Sequence, residues 1–188
     1  LCRSRFAPKQ FYLPKILFSA DVLAKSIVEE ITQKWQCTVY HHYGMTEMGY
    51  GGALSCFDDS FHMHTRAMDL YFEIVDVQTG QLLKEGEMGE IVFSTLNRRG
   101  MPLLRYRTGD MGRMKKKLCP CGYKAPVLYD VQGRIQNSFA QHGKRIWQKD
   151  LDEILFSFAG ILDFQIIIAG DRLQIQLYKN KIVLPEGR

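Results

Sequence analysis

The sequence contains no long apolar run and no internal repeat. No stretch reaches the roughly 18 consecutive apolar residues that a membrane-spanning helix needs, and the first residues lack the apolar core of a secretory leader. Hydrophobic residues make up 46% of the 188 residues and charged residues 24%, which is typical of a soluble globular protein. These absences lead us to expect a cytoplasmic protein without a membrane partner.

Cysteine is scarce and odd in number. Five are present, and an odd count without a leader argues against a secreted disulfide framework. Free thiols, some of them holding a metal, fit better. Clustered charge is also scarce: the net charge is +5, and three basic residues in a row occur only at 115–117. Such a run is usually a solvated turn, so we expect no nucleic-acid partner.

The first part of the chain has the pattern of a strand, a helix and a second strand. Residues 15–19 form a short apolar run that predicts a buried strand, and residues 38–42 predict the next one. Between them, apolar residues recur every fourth position, as in an amphipathic helix: Leu23, Ile27, Ile31 and Trp35. This order predicts a parallel βαβ unit, and ligands of such sheets bind beyond the carboxyl ends of the strands.

The period changes after residue 69. Strand-like segments at 70–76, 89–95 and 103–107 predict an antiparallel β subdomain. Past Gly133, a second amphipathic helix is expected around Leu151, followed by a hairpin of residues 164–168 and 172–178. The fold class is therefore α/β. We place the domain boundary between residues 1–132 and 133–188.

Two short motifs have residues suited to binding a nucleotide. In residues 43–47 (YGMTE), Tyr43 can stack on a purine, and Gly44 permits close approach of the backbone to a ligand. Thr46 can donate to a phosphate, and the carboxylate of Glu47 is a hard ligand for Mg²⁺. In residues 106–110 (YRTGD), the final aspartate can accept hydrogen bonds from ribose hydroxyls. Taken singly, the first motif could be an ordinary strand-to-turn connection and the second a common turn.

Together and in this order, the motifs resemble the adenylate-forming superfamily of acyl-CoA synthetases. Within it, the chain is most similar to phenylacetate-CoA ligases and coenzyme F390 synthetase-like proteins, because residues 119–122 (CPCG) are typical of that branch. The segments that carry the resemblance are Ser19, Ala20 and Asp21, residues 43–47, 89–91 (GEI), 102–110 (PLLRYRTGD) and 119–122, and Gly133 with Arg134. The chain then resembles a fragment of such an enzyme.

The resemblance implies a fold, a reaction and a set of site residues. Residues 1–132 would be the C-terminal part of the large adenylation domain, with part of its parallel sheet and a β subdomain, and residues 133–188 the start of the small mobile α+β domain. A small carboxylic acid would react with ATP, assisted by Mg²⁺, to give an acyl-adenylate, and CoA would then displace AMP. The implied nucleotide-binding residues are Ser19, Ala20, Asp21, Tyr43, Gly44, Met45, Thr46, Asp110 and Arg134. Thr46 and Glu47 would be catalytic, with Glu47 holding Mg²⁺.

The sequence departs from the family pattern in several places. Ser19, Ala20 and Asp21 stand where this branch has Gly-Ala-Glu, and the segment after Arg134 lacks the usual acidic or lysine hinge residue. Neither the phosphate-binding loop nor the catalytic lysine is found, so we expect the chain to be inactive alone. Two other functions stay open: transfer of the acyl group to a protein or other acceptor, and nucleotide binding without catalysis. A homodimer also stays open.

A zinc site is predicted near the CPCG turn. Cys119 and Cys121 can share one ion, and structural zinc sites have four Cys or His ligands. Cys56 and His62 are the expected other two, since residues 56–62 resemble a Cys-plus-His stretch of the same branch, and His64 could replace His62. The alternative is a pair of turn cysteines, a buried cysteine and a surface histidine.

Overall fold

The computed structural model describes residues 12–19, 23–56, 61–116, 119–141, 143–169 and 172–179. Its helices are α1 (Lys25–Trp35) and α2 (Gln148–Leu155). Its strands are β1 (Lys15–Ser19), β2 (Thr38–Tyr43), β3 (Ala53–Ser55), β4 (Met63–Thr65), β5 (Leu70–Val75), β6 (Gly89–Thr95), β7 (Tyr106–Lys115), β8 (Val127–Arg134), β9 (Phe139–Gln141), β10 (Lys144–Ile146), β11 (Ile161–Ala169) and β12 (Arg172–Lys179).

The predicted βαβ unit is confirmed, but its first strand is not buried, because its residues alternate between exposed and partly buried. Strands β1 and β2 pair in parallel, from Lys15 opposite Thr38 to Ser19 opposite His42. Helix α1 covers one face of this pair, because Val28 and Ile31 are buried together with Val39 and with the partly buried Ile16 and Phe18. The pattern of apolar residues on the helix thus follows the face that meets the sheet.

The antiparallel strands at 70–76 and 89–95 are also confirmed, and they continue the same sheet. The third strand begins at Tyr106 and not at residue 103. Among the described residues the large sheet has eight strands, in the order β1-β2-β3-β4-β8-β7-β6-β5. Strands β3 and β4 join the parallel pair to the antiparallel part. The main core lies on the antiparallel part, around the fully buried Phe93, Ile91 and Leu128.

The Thr-Gly-Asp segment lies inside a strand and not in a turn. Residues 108–110 belong to β7, where the register with β6 shifts between Glu90 and Val92. Gly109 has φ +77°, a left-handed conformation that glycine adopts without steric cost. The shift has the character of a β-bulge, a feature that can redirect a side chain next to a binding site. Asp110 comes directly after it.

The chain leaves the large sheet after Arg134. A 3-10 turn (Ile135–Asn137) follows, and then the β9–β10 hairpin, α2 and the antiparallel pair of β11 and β12, which confirm the second helix and the last hairpin. Two contacts tie α2 to the large sheet and α1: Lys149 Nζ lies 3.4 Å from Asp130 Oδ1, and Glu153 Oε2 accepts from the backbone N–H of Lys25 at 2.9 Å. Within the described part of the chain, neither helix is long and apolar enough to span a membrane.

Candidate functional site

A cleft of about 520 Å³ opens where the end of β2 meets β8 and the beginning of α2. It lies beyond the carboxyl end of β2, the position expected for a ligand of a parallel sheet. The predicted site residues that line it are Tyr43, Gly44, Met45, Asp110 and Arg134. The cleft therefore brings together residues from both motifs and from the end of β8.

A hydrogen bond joins the two motifs inside the cleft. The hydroxyl of Tyr43 donates to Asp110 Oδ2 at 2.9 Å. Asp110 is buried, with 8% of its surface exposed, and its backbone N–H donates to Thr108 Oγ1 at 3.0 Å. Because one carboxylate oxygen is held by tyrosine, the other is directed by the same bond. The carboxylate is thus oriented before any ligand arrives.

Burial is the main influence on the ionisation of this pair. It raises the pKa of Asp110, while the hydrogen bond from Tyr43 and the nearby charge of Arg134 act in the opposite direction. Burial also raises the pKa of Tyr43 well above 10, and the negative charge of Asp110 adds to the effect. Tyr43 therefore keeps its proton and stays a donor at neutral pH.

Arg134 lies at the edge of the same site. Its Nε is 4.0 Å from Asp110 Oδ1, and the two residues are opposite each other in the register of β7 and β8. Slightly more than half of the side chain is exposed. The guanidinium can reach a ligand without leaving the strand pair that supports it.

A second hydrogen bond joins the two motifs, between Glu47 of the first and Tyr106 of the second. Thr46 and Glu47 begin a 3-10 turn (Thr46–Met48) directly after the cleft. The hydroxyl of Tyr106 donates to Glu47 Oε1 at 3.3 Å, and the ring of Tyr106 packs 5.3 Å from that of Phe93 in the core. Thr46 is exposed and Glu47 is partly exposed, so both can meet a ligand that extends from the cleft.

Glu90 is a buried residue that supports the site and was not among the predicted site residues. It is 3% exposed, its Oε1 accepts from the backbone N–H of Gly109 at 3.0 Å, and its Oε2 pairs with the guanidinium of Arg107. This carboxylate therefore holds the bulge that carries Asp110. The available signal was an acidic residue within the apolar strand 89–95, since a buried charge requires a partner.

Ser19 does not line the cleft. Its hydroxyl lies 2.8 Å from Nδ1 of His42, and it lines a second, largely apolar groove of about 1130 Å³ together with Leu17 and Tyr50. The ring of His42 occupies the space beside Gly51, where an added Cβ would lie 1.7 Å from Nε2. The other two residues of the expected adenine pocket, Ala20 and Asp21, lie outside the described residues.

Three cysteines and one histidine form a compact cluster between β3, β4 and the turn that joins β7 to β8. The ligand atoms of Cys56, His64, Cys119 and Cys121 all lie within 4.8 Å of one another. The expected ligand His62 lies elsewhere: its Nε2 is 3.3 Å from Lys115 Nζ, and its ring meets the edge of Tyr129. The central residue of the short strand β4, His64, takes that place.

The spacing within this cluster fits one tetrahedral ion. The sulfurs of Cys56 and Cys119 are 3.6 Å apart, and Cys121 Sγ is 3.3 Å from His64 Nε2. A disulfide would need about 2.05 Å, whereas zinc–sulfur bonds of about 2.3 Å place two ligands roughly 3.8 Å apart. Burial, and next the charge of His62, lower the pKa of His64. Its imidazole is therefore neutral near pH 7, as ligation requires.

Comparison with known proteins agrees with this geometry. Residues 5–97 match the family described as AMP-binding enzyme. Phenylacetate-coenzyme A ligases are similar along most of the chain: that of Thermus thermophilus is 26% identical over 164 residues and that of Escherichia coli 29% over 173. Residues 5–97 thus resemble the AMP-binding enzyme family, and the similarity to the ligases extends beyond them. These alignments cover 86% and 91% of this chain, but only 37% and 39% of the two relatives.

A solved structure supports the fold of this chain. A crystal structure of 2-hydroxyisobutyryl-CoA ligase, in the postadenylation state with an acyl-AMP bound, superposes with a TM-score of 0.84 at 22% identity. The superposition covers 94% of this chain and 39% of that ligase. Over the superposed part, this chain therefore shares the fold of that ligase.

Proposed function

We propose that these residues belong to an ATP-dependent carboxylate-CoA ligase similar to phenylacetate-CoA ligase. The observation that carries the proposal is the hydrogen bond between Tyr43 and Asp110, because it combines two distant motifs into one preoriented nucleotide half-site. Similarity to phenylacetate-CoA ligases over most of the chain supports the acyl-CoA product. The coenzyme F390 synthetase-like assignment stays an expectation.

In the proposed reaction, a carboxylate oxygen of the acid attacks the α-phosphorus of ATP. The bond to pyrophosphate breaks, and a mixed anhydride of the acid and AMP forms. The thiol of CoA then attacks the acyl carbon, losing its proton, and AMP leaves. The acid needs no general base, since carboxylic acids are ionised at neutral pH. Catalysis thus depends on positioning and on charge stabilisation.

Each residue of the cleft has a place in this proposal. Asp110 would accept both ribose hydroxyls, with Arg134 reaching the ribose or a phosphate, and the ring of Tyr43 would lie against the adenine. Thr46 would donate to a phosphate oxygen. Glu47 would hold Mg²⁺, which would neutralise phosphate charge during transfer. Gly44 and Met45 would present backbone to the nucleotide. The role of Ala20 and Asp21, which lie outside the described residues, stays an expectation from the sequence.

The proposal includes an incomplete active site. The chain spans about two fifths of the length of the relatives it matches, and we propose that the phosphate-binding loop and catalytic lysine lie in the remainder. The 188 residues alone would then form no acyl-adenylate at a useful rate. The division into residues 1–132 and 133–188 is part of the same proposal. Robust pyrophosphate exchange by the isolated chain would contradict the assignment of those missing parts.

A carboxylate screen with the complete chain tests the function. AMP release is measured with ATP, Mg²⁺ and each of a panel of aromatic and aliphatic acids, with and without CoA. Release that needs both an acid and CoA supports the ligase. Pyrophosphate release without CoA-dependent AMP release would favour transfer to a protein or another acceptor. ATP binding without any pyrophosphate release would favour a non-catalytic relative.

We also propose that the cysteine cluster is a structural zinc site with Cys56, His64, Cys119 and Cys121 as ligands. Four protein ligands leave no open position for substrate, so the ion would hold the turn between β7 and β8 against β3 and β4. Free thiols agree with a reducing cytoplasm, which we infer as the location. Elemental analysis of freshly purified protein would show about one zinc per chain. Light scattering of the same sample would separately test for a homodimer. Absence of zinc would overturn the metal site.

A further inference from the structure

The 3-10 turn that carries Glu47 is short, and much of its support comes from outside it. Within the turn region, the backbone N–H of Met48 donates to the carbonyl of Met45 at 3.0 Å, and that of Gly49 to the carbonyl of Thr46 at 3.1 Å. Its N-cap residue Met45 supplies no side-chain hydrogen bond. The last carbonyl groups of any helical turn lack partners within it. Such a turn needs other groups to hold its end.

Two arginines hold these carbonyls. Arg98 Nη1 donates to the carbonyl of Glu47 at 2.7 Å, and Arg66 Nη2 donates to the carbonyl of Met48 at 3.0 Å. Arg98 also occupies the space beside Gly49, where an added Cβ would lie 2.9 Å from Nη2. A side chain at position 49 would push this guanidinium away. Glycine at position 49 therefore leaves room for the guanidinium of Arg98.

The segments bearing the two arginines are tied to one another. Arg66 Nε lies 2.9 Å from Asp69 Oδ2, and the backbone carbonyl of Asp69 accepts from Leu96 at 2.8 Å. One residue further along, Asn97 Nδ2 donates to the carbonyl of Met68 at 2.9 Å. The loops that follow β4 and β6 thus form one support for the turn, which we call the arginine clamp (Arg66 and Arg98).

We propose that Arg98, assisted by Arg66, is a positioning residue for the carboxylate of Glu47. The inference rests on the proposed function, in which Glu47 holds Mg²⁺. Mg²⁺ demands near-ideal octahedral geometry at about 2.1 Å, so a small displacement of the turn would misplace this ligand. Arg98 donates to the main-chain carbonyl, while a neutral hydroxyl, that of Tyr106, contacts the carboxylate. The clamp therefore fixes the backbone and leaves the negative charge available to the metal.

The test compares Arg98→Ala and Arg98→Lys with Arg99→Ala in the complete chain. Arg99 is the exposed neighbour on the same loop, so its variant removes an equal charge without removing the clamp. Hydrogen exchange of the amides of Met48 and Gly49 reports the turn directly. Pyrophosphate exchange, measured at saturating ATP over a range of Mg²⁺ concentrations, reports the metal ligand.

For Arg98→Ala we expect faster exchange of both amides and roughly a ten-fold higher Mg²⁺ concentration for half-maximal activity, as for one lost charge-assisted hydrogen bond. Arg98→Lys should restore part of both effects, and Arg99→Ala should match the wild type. Unchanged amide exchange in Arg98→Ala would overturn the clamp. Faster hydrogen exchange of the two amides with an unchanged Mg²⁺ dependence of activity would overturn the role of Arg98 in positioning Glu47.

These results are separable from a failure of the proposed function. If none of the acids tested supports pyrophosphate exchange by the wild-type complete chain, the ligase proposal fails. The role of Glu47 as a metal ligand in that reaction then fails with it. Hydrogen exchange then still decides whether Arg98 holds the turn, because that measurement needs neither substrate nor metal.

Discussion

The proposed nucleotide half-site and the cysteine cluster are built in the same way but are held by different forces. Tyr43 and Asp110 are 67 residues apart in the chain, and Cys56 and Cys119 are 63 apart. In the half-site, a hydroxyl and a carboxylate are complementary and hold one another. In the cluster, thiols and an imidazole converge although thiols are only weak donors and acceptors. The first site is therefore organised by the protein itself, whereas the second has the geometry that an ion would stabilise.

The largest expected effect comes from removing the preoriented carboxylate. For the proposed ligase, Asp110→Ala should lower acyl-adenylate formation about 1,000-fold, because two charge-assisted hydrogen bonds of about 2 kcal/mol each would be lost. Pyrophosphate exchange measures the effect. Asp163→Ala, which removes an exposed carboxylate on β11, is the control and should leave the rate unchanged. A loss of less than ten-fold in Asp110→Ala would show that the half-site is not the ribose site.

The cysteine cluster should depend on its ion in a way that the half-site does not. Cys121→Ser should weaken zinc binding by more than about 100-fold, since changes even to the partners of ligands cost about 10-fold to 100-fold. Zinc retained after dialysis against a chelator measures this. Cys37→Ala is the matched control, because the sulfur of Cys37 lies near the carbonyl of Ile31 and outside the cluster. Equal zinc content in both variants would refute the ligand set.

A smaller effect is expected when the half-site keeps its carboxylate but loses the tyrosine hydroxyl. Tyr43→Phe removes the hydrogen bond that lowers the pKa of Asp110, so that pKa should rise further. If ionised Asp110 binds ribose, the acid limb of the pH–activity profile should move to higher pH, with a loss of about 1 kcal/mol in binding. Tyr71→Phe, on the exposed face of β5, should leave the profile in place. An unchanged acid limb in Tyr43→Phe would show that the hydrogen bond between Tyr43 and Asp110 does not influence activity.

The smallest effect concerns stability. Burial raises the pKa of Asp110 in the folded state, so the folded chain holds this proton more tightly than the unfolded chain does. Its contribution to stability is therefore fully present below the unfolded pKa of about 3.9 and decreases as pH rises through the folded value. Asp110→Asn should gain stability relative to the wild type between pH 4 and pH 7. Urea denaturation of both proteins at pH 4 and pH 7 measures this difference in stability. A variant that loses stability relative to the wild type between the two pH values would contradict the expected sign.

Much of the architecture could be predicted because it follows local patterns. The four-residue period from Leu23 to Trp35 and the apolar run at 15–19 depend on neighbours along the chain, and they predicted the βαβ unit that the structure contains. The joining of the antiparallel strands to that unit could not be predicted, since it depends on the pairing of β4 with the distant β8. Pairing between strands far apart leaves no local pattern.

The site shows the same limit at the level of single residues. The motif at 43–47 predicted a nucleotide site, which stays a proposal. For the cluster, His62 was the first choice, and its stated alternative, His64, is the histidine that lies there. His62 and His64 have the same side chain and lie two residues apart in the chain. The sequence alone therefore does not decide which of them lies beside the thiols. In the structure, pairing of β4 with β3 and β8 directs His64 towards the thiols, while His62 meets Lys115.

The sequence by itself determined which chemical groups are present and where the regular elements begin, because side-chain chemistry and hydrophobic periodicity are local properties. It thereby determined the resemblance of residues 5–97 to the AMP-binding enzyme family. Only the tertiary structure decided which groups meet: Tyr43 with Asp110, Glu90 with the bulge at Gly109, and Arg98 with the carbonyl of Glu47. These contacts depend on strand register and on loop geometry, which arise from packing over the whole sheet.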